Sequence, residues 1–248
     1  MTSNIELKKV NTWQWTGSRW KKHENQNWTI KDPLEKIKSK YNKGTSLIFD
    51  FYVFNYSSRF PQEISEVDIN AADALIGANI SAKNIRWQNV IDSLDEINET
   101  LEKSKLPGCA SIDDEDNIEK AANLIKKFRR DEIGLAIASK ILITKQPYLI
   151  PMMDSVVQDC FTSDDPGKIM KEFKRLLSDE ETKATVSNII KEVKEKYHFE
   201  VSPLRILEQL IWFDWNLLRH HDEIFYVSGF EEWIFNYKKA DLGVHRKS

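Results

Sequence analysis

Asp154, in the phrase "IPMMDSVV", has the setting that most invites chemistry in this chain: a carboxylate between a proline-bounded apolar segment and the start of an expected helix. Asp is among the best helix N-caps, so a structural role alone accounts for it. A carboxylate held in this way is also a chemical tool, because the cap fixes it in space and the helix N-terminus favours its ionised form. Such a group can stabilise a developing cation, or orient and deprotonate an attacking water. Upstream, "EIGLAIASKILITK" sets Gly134 in a tight turn between two short helices, with Ala136 and Ala138 small enough for close packing. Glycine at such a turn lets backbone N–H groups approach a phosphate, and Ser139, Lys140 and Lys145 then stand within reach of a DNA backbone. A buried helix pair whose small residues simply allow close contact accounts for the same letters.

Other reactive residues carry less. His220 and His221 lie near Asp214 and Asp222, but adjacent histidines point to different sides of a helix, so at most one serves a given site. The acidic run at 113–117, "DDEDN", suits the start of a helix, whose positive end favours carboxylates. Cys109 and Cys160 lack a Cys or His partner at metal-ligand spacing, so neither a metal nor a cofactor is expected.

The elements that position these groups read as helices. Only 8 Gly and 7 Pro occur in 248 residues, and apolar residues recur at helical spacing. Ile69, Ala72, Leu75, Ile76 and Ile80 form one such face; Val90, Ile91, Leu94, Ile97 and Leu101 form a second, stopped by Pro107 and Gly108. Ile118, Ala121, Ala122, Ile125 and Phe128 form a third, with Lys126, Lys127, Arg129 and Arg130 at its end. Ser202 and Pro203 open a fourth, buried along Leu204, Leu207, Leu210 and Ile211. The first 43 residues, with Trp13, Trp15, Trp20 and Trp28 among basic and polar residues, read as an N-terminal extension that docks by its tryptophans or stacks on unpaired bases.

Composition narrows the partners. A 41% hydrophobic share is enough for one sizeable core or two packed subdomains. The 36 Lys plus Arg against 39 Asp plus Glu leave a net charge of −3, so any nucleic-acid surface must be a local one. The absence of a long apolar run or signal-peptide pattern predicts a cytoplasmic protein with no membrane partner.

Taken in order, "SSRF", "DINAADALIGANIS", "ASKILITKQPYLIPMMDSVV" and "SPLRILEQLIWF" resemble an uncharacterised bacterial domain family of the helix-hairpin-helix DNA glycosylase superfamily, whose members read close to "KRPRLIPVYDSVV" at the Asp154 segment. The likeness covers about residues 44–215. It implies an all-α, two-subdomain fold with a helix-hairpin-helix at about 118–144, in a glycosylase-like domain spanning 44–248. It makes Gly134 the hairpin glycine, Ala138 the packing alanine and Asp154 the base-excision aspartate. Ala136 falls where bifunctional members carry a nucleophilic lysine, so the resemblance implies excision without lyase chemistry. Two departures stand out: Asp131 and Glu132 precede the glycine where phosphate should dock, and Ser155, Val156 and Val157 replace the usual "THV".

The function expected is a monomeric, monofunctional DNA glycosylase that hydrolyses the N-glycosidic bond of a modified base; a modified cytosine of phage DNA, and hence phage defence, is suggested by related bacterial systems. Because a stacked base must be flipped out, aromatic surface should accompany Asp154. The candidates are Trp87, Tyr148, Trp212 and Trp215 for the pocket and Arg59 and Phe60 for its wall or the vacated stack. Two other readings stay open: a non-catalytic hairpin protein that clamps DNA, and a helical protein-interaction module.

Overall fold

The computed structural model describes residues 4–15, 20–42, 44–75, 90–108, 110–129 and 133–220. It is mostly helical, as the spacing predicts, but it opens on two antiparallel strands, β1 (Ile5–Trp15) and β2 (Trp20–Ile30). Ile5 and Leu7 point inward at strand period; register shifts between Leu7 and Thr12 move the buried position to Val10. Ile5, Leu7, Val10 and Ile30 join the same core as the helices. The expected separate extension is therefore corrected: these residues form an integral wall of the body, and the irregular alternation hid the strands.

Helices α1 (Pro33–Asn42) and α2 (Thr45–Asn55) follow, then a 3-10 turn (Ser57–Arg59), α3 (Glu66–Ala74) and α4 (Leu94–Lys103). The face expected to run to Ile80 buries Ile69 and Ala72; Ile76, Ile80 and Trp87 lie outside the described residues. Next comes α5 (Glu115–Phe128), whose N-cap Asp114 accepts a hydrogen bond from Asp116 N at 2.9 Å, so the acidic run caps a helix as expected. All five residues of its apolar face are buried. After α6 (Leu135–Leu142) and α7 (Ser155–Phe161), α8 (Pro166–Leu177) and α9 (Glu180–Tyr197) lead to α10 (Pro203–His220).

Helix α10 is the axis of the fold. Leu204, Ile206, Leu207, Leu210 and Ile211 are buried around its circumference, and it contacts α1, α7, α8, α9 and both strands. Ser202 anchors its start, accepting from Arg205 N at 3.1 Å and donating to Pro147 O at 2.6 Å. One large core carries most buried residues; Phe49, Val53, Ile143 and Met152 form a small satellite. No helix among the described residues is long and apolar enough to cross a membrane.

Candidate active site

Asp154 is the N-cap of α7. Its Oδ1 accepts hydrogen bonds from Val156 N at 3.0 Å and Val157 N at 3.2 Å, while Oδ2 carries none among the described residues. The side chain is half-buried. One oxygen thus holds the helix. The loop beneath is clamped on both sides: Ser139 Oγ of α6 accepts from Met153 N at 2.9 Å, and Gln158 Nε2 donates to Met153 O at 2.7 Å. Ser139→Ala removes the acceptor of a buried N–H, so a loss of roughly 1–3 kcal/mol is expected in urea denaturation.

Beside the carboxylate lies a buried charge network. Arg205 Nε donates to Asp50 Oδ1 at 2.7 Å, and its Nη1 donates to Glu208 and to Met152 Sδ, the latter at 3.3 Å. Tyr41 Oη and Gln209 Nε2 donate to Asp50 Oδ2 at 2.9 and 2.5 Å. Burial opposes the charge on Arg205, but Asp50 and Glu208 more than reverse this and hold the guanidinium protonated. Burial pushes the Glu208 carboxyl up, against the pull of Arg205 and Lys40. Lys40 of α1 completes the cluster, its Nζ 4.4 Å from the ring centre of Trp212.

The expected site residues separate into groups. Trp212 is half-buried beside Lys40. Tyr148 is 40% exposed and packs edge-on against Phe54. Arg59 is exposed, as is Phe60 at 67%, on the 3-10 turn and its end. Trp87 is outside the described residues, as are His221 and the acidic pair Asp131 and Glu132; the Trp215 side chain is not described.

Gly134, the expected hairpin glycine, is the exposed N-cap of α6, with φ −70° and ψ 173°, and a Cβ placed there meets nothing within 4 Å. The fold itself therefore does not require glycine at 134. Ala136 and Lys140 are half-buried on α6, and α6 packs against α5. Ser139 and Lys145 depart from expectation. Ser139 is fully buried as the loop clamp, and Lys145, 2% exposed, sets its ammonium 2.8 Å from Asp68 Oδ2 and 3.4 Å from Ser57 O. Both side chains are buried inside the protein. Burial alone raises the Asp68 carboxyl, but Lys145, the Ser57 hydroxyl and Ser65 N–H outweigh it and hold it below the usual range. At the end of α5, Lys126 pairs with Asp165 at 2.8 Å and Arg129 reaches Asp164 O at 3.5 Å, so both are tied to the start of α8. A groove of about 600 Å³ between α5 and α8, lined by Glu115, Asp116, Lys126, Asp165 and Lys171 among others, shares no residue with the surroundings of Asp154.

Sequence reasoning missed Lys40, Tyr41, Asp50, Arg205 and Glu208. A signal was present for three of them: Asp50 interrupts "LIFDFYVF", and Arg205 and Glu208 interrupt "PLRILEQLIWF", and a charge inside an apolar helical run must find a partner. Neither a curated protein nor a solved structure matches the chain. One family model does, over residues 49–214, a span that holds Asp50, Asp154, Arg205 and Glu208 and leaves out Lys40. The chain belongs to that family, described as a family of unknown function, DUF6308.

Proposed function

We propose that this protein is a monofunctional DNA glycosylase of the helix-hairpin-helix type, with Asp154 as the essential carboxylate. The observation that carries the reading is the division of labour within Asp154: Oδ1 is spent on capping α7, while Oδ2 is left without a hydrogen bond among the described residues. Hydrolysis of an N-glycosidic bond builds positive charge on the sugar as the base departs. A fixed carboxylate oxygen stabilises that charge and takes the proton of the incoming water. Helix α6 offers the first N–H groups of its N-terminus at an exposed glycine, a place where backbone can meet phosphate. Ala136 has no amine, so the reading ends at an abasic site.

Gly134 gives a separate test of the DNA contact. Gly134→Ala is expected to change stability by less than about 1 kcal/mol, because its φ suits any residue and its Cβ has room. The methyl group would hold a phosphate away from the backbone, so affinity for duplex DNA should fall several-fold in fluorescence anisotropy. Unchanged affinity would remove the hairpin from the interface. The activity itself is tested by incubating the protein with duplexes that carry single modified bases, hydroxymethylated and glucosylated cytosine included, followed by alkali. Strand breaks that appear only after alkali support the reading; no break with any base, under conditions where DNA is bound, favours a non-catalytic DNA-binding protein.

A further inference from the structure

Helix α2, "TSLIFDFYVFN", reverses the pattern of a surface helix. Its single charge, Asp50, points into the protein, and neither its first nor its last turn carries another. Ile48 and Phe51, one turn apart on the opposite side, face solvent at 71% and 41% exposure. A surface helix turns its polar side outward, and one apolar on both sides belongs in an interior. Here only the side of Phe49, Asp50 and Val53 is covered. The large apolar side chains that stand exposed among the described residues all gather round this helix. Tyr56, the residue after α2, sets its ring 5.9 Å from that of Phe51, and Phe60 ends the 3-10 turn that comes next. Tyr148 packs on Phe54 of α2, and Val67 of α3 adjoins Asp68, to which Tyr52 Oη of α2 donates at 2.9 Å.

We propose that this face is where two copies of the chain meet across a two-fold axis, in place of the monomer expected from the sequence. Area supports that occupant. Four aromatic rings that are 40–67% exposed, together with Ile48 and Val67, offer on the order of 600 Å² of apolar surface per copy. Doubled across the axis and rimmed by polar residues, that reaches the roughly 1,200 Å² at which specific interfaces begin. Charge supports it as well. Aromatic residues at the centre with charge kept to the edge is the composition of an interface core. Arg59 at that edge is exposed and without an ion pair among the described residues, as are Glu63 and Glu66 shortly after it. A two-fold operation sets the arginine of one copy against the carboxylates of the other, so the patch is complementary to itself. One cation beside two carboxylates suits neither a phosphate backbone nor an anionic lipid surface, which call for clusters of Lys and Arg. On this assignment Phe60 and Tyr148 cover the partner copy rather than a flipped base. The pairing is independent of the excision reading.

The test is the mass of the full chain in solution, read by sedimentation velocity across the micromolar range. Wild type should sediment at twice the 29.0 kDa of one chain. Ile48→Glu changes a solvent-facing helix position, so the circular dichroism spectrum should match wild type. Pairing should weaken by about 100-fold or more, because each copy then brings a carboxylate to the apolar centre. Val67→Lys, on α3, should weaken it in the same direction and serves where the α2 variant fails to fold. Wild type of single-chain mass throughout the range overturns the proposal. So does a dimer that both variants keep, since the interface then lies elsewhere. A monomeric wild type whose variants lose affinity for DNA gives the face to nucleic acid, and one whose variants melt earlier gives it to a segment of the same chain; either result also overturns the pairing.

Discussion

Asp154→Asn is expected to yield a folded protein that binds DNA with wild-type affinity and releases base about 1,000-fold more slowly, or not measurably. The size follows from what the substitution removes. Loss of a preorganised group facing developing charge costs about 100- to 1,000-fold in rate, and the same group here also takes the proton of the water. The control is built into the chemistry, because Asn caps a helix nearly as well as Asp. Val156 N and Val157 N keep an acceptor, and the Met153 clamps are untouched. A melt within about 1 kcal/mol of wild type together with lost excision assigns the deficit to charge. Full activity in the Asn protein would reduce Asp154 to a cap.

Arg205→Met is expected to destabilise the fold by about 3–5 kcal/mol, read by urea denaturation at neutral pH. Arg205 is the only cation within ion-pairing distance of Asp50 and Glu208 among the described residues, and all three are buried. Methionine has similar length, so packing changes little; what remains is two buried carboxylates that have lost their ion-pair partner. Total stabilities run to about 5–15 kcal/mol, so the variant stands near the limit of folding. The cause is separable: adding Asp50→Asn and Glu208→Gln removes the stranded charges and should recover most of the loss. If the triple variant were as weak as the single one, the guanidinium's packing over Phe49, 5.4 Å from its ring centre, would be the larger contribution.

Local physics made some of this legible in the sequence. Helices α5 and α10 follow from three-to-four-residue spacing and from their caps, and the same logic puts Asp154 at the head of α7. Nonlocal pairing was the barrier elsewhere. Lys145 reads as a surface cation because nothing adjacent signals Asp68, 77 positions earlier, as its partner. The Arg205–Asp50 contact spans 155 positions, so the interrupted apolar runs announce burial without naming the partner. In β1, the register shifts between Leu7 and Thr12 break the two-residue alternation that identifies a strand, and the tryptophans then read as a docking extension. Lys40 lies in that segment, outside the helical body that the spacing delimits.

The position of the strands also bears on how the protein can be cut for production. The span shared with the family starts at Phe49, whereas Ile5, Leu7, Val10, Ile30, Ile37 and Tyr41 fill the core from outside it. Trp28 and Lys36 both donate to Asp214, and Tyr41 supplies a hydrogen bond to Asp50. A fragment trimmed to the family boundary would expose an apolar flank of α10 and leave two carboxylates short of donors. The cooperative folding unit therefore begins by Ile5, and the recurring segment is an inner part of it.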